Sequence, residues 1–143
     1  MITINPYLNF DGKCEEAFNF YKSVFGGEFQ MIQRISETPH ADLLPADERN
    51  RIMHVSLPVG KGIILMGSDI MPSMGHTLVI GNNNHISIHP ETKAETDTIF
   101  KALSAGGTVT MPLEETFWGA YFGMFADKFG VLWMINCDLN PKK

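Results

Sequence analysis

Two histidines and one carboxylate stand in settings where side chains do chemistry. His54 in MHVSLPV and His85 in NHISIHP each fall in an alternating, strand-like run. The ordinary titration range of imidazole lies near neutrality, so either suits general acid or base work. Glu115 precedes TFW, and a carboxylate beside Phe117 and Trp118 loses solvent, which favours its protonated form and fits it to act as a base or hydrogen-bond acceptor. Asp69 closes the run ILMGSD in a comparable position. A plainer reading stands beside each. A strand histidine is as readily a hydrogen-bonded structural group, and Glu115 next to Glu114 as readily an exposed loop acid. His85 and Glu115 are thus the catalytic candidates, and His54, Asp69, Trp118 and Tyr121 the ligand-binding ones.

The aromatic residues are divided by alternation. Along WGAYFGMF, Trp118, Ala120, Phe122 and Met124 fall on one face of a strand, and Gly119, Tyr121, Gly123 and Phe125 on the other. One face must cover a helix; the other is left to meet a ligand. Large aromatics are chiefly core-forming, so each ring is also a core candidate. Asp127 to Gly130 reads as a turn between strands. The loops Glu37 to Asn50 and Ser68 to His76 are placed to gate a cavity or to meet a second subunit, the latter loop through the flexible side chains of Met71 and Met74.

Those residues need elements to position them. Residues 2–10 alternate as a strand, with Pro6 marking an edge or a bulge. Residues 11–27 open with turn chemistry, place Cys14, Ala17, Phe18 and Tyr21 on a helical stripe, and stop at Gly26 and Gly27. Strands follow at 28–36, 51–59 and 62–68. The second half repeats the order: a strand ending at Pro90, a helix whose start at Thr92 and Glu95 has the form of a capping box, and strands in TVTMPL, WGAYFGMFA and GVLWMINC. Sliding the chain by about 80 residues sets Gly26 and Gly27 on Gly106 and Gly107, Met31 on Met111 and Asn5 on His85; a slide of about 68 sets KGIILM on FGVLWM. The chain reads as an α+β domain over residues 1–143, built from β-α-β-β-β modules at 1–70 and 76–143.

Composition narrows the function classes. With 44% hydrophobic and 19% charged residues among 143, the chain has the makeup of a globular domain. A net charge of −5 without a basic cluster, the densest spots being Arg49/Arg51 and Lys142/Lys143, argues against a nucleic-acid partner. Two cysteines without CxxC spacing suggest neither disulfides nor zinc, and fit a cytoplasmic setting. No signal or membrane-spanning run is read.

The paired modules resemble the vicinal oxygen chelate superfamily, which includes glyoxalase I, fosfomycin resistance proteins, extradiol dioxygenases and bleomycin-binding proteins. PYLNFDGKCEEAFNFYKSVFGGE near the start, MHVSLPVG and ILMGSD in the middle, and ETFWGAYFGMFADKFGVLWMIN near the end are similar to the PhnB-like group. The resemblance implies two modules curled into an open, incomplete mixed β-barrel around a cavity, and a homodimer. It also implies a divalent metal held by His and Glu from four strands. Carried over, those positions fall at Asn5, at Leu65 or Met66, at His85, and at Trp133 or Met134. Only His85 is a good donor for such an ion. No cofactor and no metal site is therefore expected.

Three functions remain open. The first is binding of a small apolar or aromatic molecule without the superfamily metal. The second is a lyase, isomerase or transferase using His85 or Glu115 with a non-standard metal site. The third is a structural or interaction module. A doubly wound methyltransferase is excluded by the order of elements and glycines, and nothing basic is placed to meet a phosphonate.

Overall fold

The computed structural model describes residues 1–39 and 41–140; His40, in the loop 37–50, and the terminal Lys142 and Lys143 lie outside the described residues. The chain divides into two units, Met1–Val79 and Ile80–Lys143.

In the first unit the order is β1 (Tyr7–Phe10), α1 (Cys14–Phe25), β2 (Met31–Arg34), a one-turn helix α2 (Ala46–Arg49), β3 (Ile52–Val59) and β4 (Ile63–Asp69). Short 3-10 turns cover Ile35–Glu37, Ala41–Leu43 and Pro72–Met74. The sheet runs β1-β4-β3-β2, with β1 parallel to β4 and the other pairs antiparallel. The apolar stripe of α1 does what its spacing demands: Cys14, Ala17, Phe18 and Tyr21 are all buried. They pack on the sheet face that carries Val55, Leu57 and Leu65. Gly26, at a φ of 80°, closes the helix by donating its N–H to the Lys22 carbonyl at 2.8 Å.

The first strand begins at Tyr7, not Ile2. Pro6 has no N–H to give, and the ladder is carried past it by other means. The Pro6 carbonyl accepts from the Met66 N–H at 3.1 Å, and the Asn5 side-chain oxygen accepts from the Ile64 N–H at 2.9 Å. A register shift between Gln33 and Arg34 puts an extra residue, Met53, into β3 as a β-bulge.

The second unit has β5 (Ile86–Ile88), α3 (Lys93–Ser104), β6 (Thr108–Glu115), β7 (Ala120–Ala126) and β8 (Leu132–Asp138). Its sheet runs β5-β8-β7-β6, again with the outer strand β5 parallel to its neighbour. Neither sheet closes on itself. Thr92 caps α3, its hydroxyl accepting from the Glu95 N–H at 3.1 Å, while the Glu95 carboxylate reaches back to the Glu91 N–H.

The duplication holds to the residue over much of the strand registers and departs from it past Met111, where β6 shifts against β7. Adding 80 to the partners on β1 and β2, and 68 to those on β3 and β4, carries Leu8↔Gly67 onto Ile88↔Ile135, Leu57↔Leu65 onto Phe125↔Trp133, and Met31↔Ser56 onto Met111↔Met124. Both units are one β-α-β-β-β plan, and the fold is α+β.

A second sequence reading changes. Trp118 and Gly119 do not belong to β7; they sit in the β6–β7 connection, where Gly119 has a φ of 86° and donates to the Thr116 carbonyl, and Thr116 in turn pairs with the Ala120 carbonyl. The backbone turns there because Gly119 takes the left-handed conformation at no steric cost.

Candidate functional site

Each sheet has one face covered by its own helix and one that is not. In the first unit, side chains paired in register share a face, so Tyr7, Met66, Ser56 and Met31 line up across the four strands. His54 and its partner Gln33 join them, two residues along β3 and β2. The Tyr7 Oη lies 3.2 Å from His54 Nδ1, with the rings 5.7 Å apart. The phenol and imidazole are therefore coupled on the helix-free face. Tyr7 was not visible as a candidate: its partner is 47 residues away, and nothing local in PYLNF marks it.

The corresponding face of the second unit is lined by Ser87, Met134, Met124 and Met111 in one row and by Glu114, Phe122 and Asn136 in the next. His85 and His89 flank Ser87 at alternate positions, and Ser87 Oγ lies 3.0 Å from His89 Nε2. Trp118, about half exposed, sets its ring edge-on to Phe122 at 5.9 Å, and Phe117, almost wholly exposed, packs edge-on to Trp118 at 5.0 Å.

The other candidates lie elsewhere. Tyr121 shares the helix-covered face with Gly123 and Phe125; its Oη donates to Asp97 of α3 at 2.7 Å, and that bond holds the phenol above its ordinary pKa. Glu115, the last residue of β6, pairs in register with Tyr121. Its carboxylate is exposed and 3.9 Å from Lys93 Nζ, which also lies 4.6 Å from the centre of the Tyr121 ring. The structure thus joins Glu115 and Tyr121 to the first turns of α3 and keeps both off the face that holds His85. The enclosed setting expected for Glu115 beside Phe117 and Trp118 is absent: its carboxylate is exposed, and both rings sit in the exposed β6–β7 connection.

Asp69 is buried and fully engaged. One oxygen accepts the Cys14 N–H at the start of α1 at 3.0 Å, the other the Ile52 N–H of β3 at 2.9 Å. It therefore supplies an acceptor that the helix start lacks, since the N-cap residue Lys13 has no side-chain cap. Burial, with Asp69 and Glu15 close by, pushes the Cys14 thiol well above its usual range, so it stays neutral.

The positions implied for a metal are resolved by the same registers. Met66 faces the helix-free side beside Tyr7, whereas Leu65 is buried beneath α1. Met134 faces it beside Ser87, whereas Trp133 is buried, donating its indole N–H to Asp127 at 2.9 Å. The donor set is then Asn5 and Met66 in one unit and His85 and Met134 in the other. Thioethers are soft ligands, and the Asn5 oxygen is already accepting from Ile64. These residues do not fit the hard or borderline divalent ion of the superfamily. Among the described residues no group of three His, Cys, Asp or Glu is placed to hold a metal ion.

Similarity to known proteins follows the same lines. The profile of the Glyoxalase/Bleomycin resistance protein/Dioxygenase superfamily matches residues 3–135. Protein YjdN of Escherichia coli (strain K12) is 33% identical over 146 residues, covering 93% of both chains. Among solved structures, protein PA1353 from Pseudomonas aeruginosa is 42% identical with a TM-score of 0.85, covering 96% of this chain and 98% of its own. The PhnB protein from Bacillus cereus is 28% identical with a TM-score of 0.77, covering 95% and 99%. Strand order, doubled register and these alignments agree: the chain belongs to the glyoxalase/bleomycin resistance protein/dioxygenase superfamily, in its PhnB-like group.

Proposed function

We propose that this chain binds a small apolar or aromatic molecule on the helix-free faces of its sheets, without the divalent metal of its superfamily. The observation that carries the reading is the repeated methionine: Met66 and Met134 stand at equivalent register positions on the helix-free faces, and each is one of the two neighbouring residues at which the resemblance implies a metal ligand. A thioether there gives up a hard ion and offers adaptable apolar contact instead. Met124, Phe122 and Trp118 extend the apolar surface in the second unit. The reading includes a homodimer, for which the outward Phe117 ring offers apolar surface.

Native mass spectrometry of protein purified without chelator tests all of it together. The expected result is a dimer carrying an organic adduct and no divalent ion. A stoichiometric ion would overturn the reading.

A second reading, acid–base catalysis on a molecule held at the same face, is favoured by the Tyr7–His54 contact. It requires that His54→Gln remove turnover while leaving binding of that molecule within a factor of a few.

A further inference from the structure

The first unit has a cavity of about 340 Å³ that is not part of the helix-free face. Its walls are Ile35, Leu43, Leu44, Met53, Met71 and Met74, with Thr38 among them. None of these residues pairs in register with Tyr7, Ser56 or Met66. Met53 reaches it because the β-bulge makes it the extra residue of β3, and a bulge re-aims the side chain it adds.

We propose that this cavity is a second ligand site, taking a neutral, apolar molecule of about two fused rings. The site is independent of the reading given above. Three observations fix its chemistry. The first is size: an apolar cavity of about 150 Å³ takes benzene, and this one is roughly twice that. The second is polarity, because the polar groups in its walls are already spent. The Thr38 hydroxyl donates to the Ile35 carbonyl at 2.7 Å. The Ala41 and Leu44 carbonyls both accept from Arg49 Nε at 3.0 Å, and the Met71 N–H donates to His76 Nδ1 at 3.1 Å. Among the described residues the walls carry no charged side chain and their one hydroxyl donor is engaged, so a charged or strongly polar ligand would lose its hydration with little return. The third is construction. Adjacent residues of α2 hold both walls: Arg49 clamps the 41–44 segment, and the buried Glu48 carboxylate accepts from the Ser73 N–H at 2.8 Å and from the Ser73 hydroxyl, fixing the 72–74 turn. The cavity is therefore formed before a ligand arrives, while three methionine side chains leave its inner surface adaptable. Leu43 and Met74, both largely exposed, stand to be covered when it fills.

The test is a titration of the full chain, labelled with 13C at the methionine methyls, with naphthalene, the methyl signals being assigned by single Met→Leu variants. Saturable shifts at Met53, Met71 and Met74 are expected, with a midpoint of their own that differs from that of any shift at Met66, Met124 and Met134 on the helix-free faces. Met74→Trp, which places a large ring at the rim, should weaken the apparent affinity at least tenfold. Retention of the other methionine shifts in that variant shows that it is folded. The proposal is overturned if no saturable shift occurs at Met53, Met71 and Met74, if shifts fall on Met66 and Met134 alone, or if Met74→Trp leaves the midpoint read at Met53 and Met71 as in the parent. It is equally overturned if diluting the protein without naphthalene moves the Met53, Met71 and Met74 signals, because the occupant is then a second copy of the chain.

Discussion

Asp69 and Asp127 show what a carboxylate at a strand end can be for. Asp127 accepts the N–H groups of Phe129 and Val131 and the Trp133 indole, fastening the turn into β8, while Asp69 ties the start of α1 to β3. Removing Asp69 leaves two buried backbone donors without an acceptor. Asp69→Ala is therefore expected to lower stability by roughly 2–4 kcal/mol, read by urea denaturation, whereas Asp69→Asn, which keeps one acceptor, costs less. Binding on the helix-free face should be unchanged in Asp69→Asn, since Asp69 lies beneath α1; an affinity loss there would contradict its structural role. From sequence, the acid at the end of ILMGSD could be read as a ligand or as a loop group. Its partner Cys14 is 55 residues away, so the deciding contact has no local signature. The same distance effect hid Tyr7 behind His54, while Glu115 and Tyr121 were separated from His85 by strand alternation, which only the true strand boundaries reveal.

At the level of elements, the two units make one helix-on-sheet contact with a swap. In the first, Gly67 on β4 opposes Val55 on β3; in the second, Gly123 on β7 opposes Ile135 on β8. Each glycine seats an aromatic ring of its helix. A Cβ on Gly67 would meet Phe18 Cε1 at 2.7 Å and the Leu8 carbonyl oxygen at 2.8 Å, and one on Gly123 would meet Phe100 Cε2 at 2.7 Å. Gly67→Ala is thus expected to cost about 1–3 kcal/mol in urea denaturation by overpacking. An unchanged midpoint would remove close approach as the reason for glycine there. Because glycine and its branched partner exchange strands between units, identity between the halves is faint although the register is shared.

The helix α2 carries a pH dependence. Hydrogen bonds from the Ser73 hydroxyl and N–H hold the Glu48 carboxyl below its ordinary value, with Arg51 and His76 adding to the effect against the opposing cost of desolvation. A depressed folded pKa means that Glu48 stabilises the fold fully above the ordinary glutamate range, and that this contribution is lost as pH falls through the lower folded value. Protection of the Ser73 amide against exchange, taken relative to its intrinsic rate at each pH, should accordingly fall on acidification into that range, and Glu48→Gln should flatten the dependence. The two short turns that α2 anchors are read from sequence only as loops placed to gate a cavity or to meet a second subunit. Their order comes from Glu48 and Arg49 reaching across to other segments, which composition does not encode.

For the whole molecule, the doubled plan was legible because it is written in local signals: the glycine stops at Gly26 and Gly106, the Thr92 cap and the spacing of apolar residues in α1. Among the described residues no helix is long and apolar enough to cross a membrane. What could not be read was which of two neighbouring residues faces the helix-free side, Leu65 or Met66 and Trp133 or Met134. A one-residue change of register exchanges them. Resolving that choice onto methionine in both units is what turns a missing metal ligand into a reading of function. The cavity beside α2 lies beyond that plan, since its walls include 3-10 turns that, among the described residues, only the first unit has.

The most direct test of the central claim is equilibrium dialysis of the intact protein against Mn2+, Ni2+ and Zn2+, followed by elemental analysis. The account predicts no ion held at a stoichiometric ratio to the chain. One tightly bound divalent ion per chain, lost on substitution of His85, would contradict it.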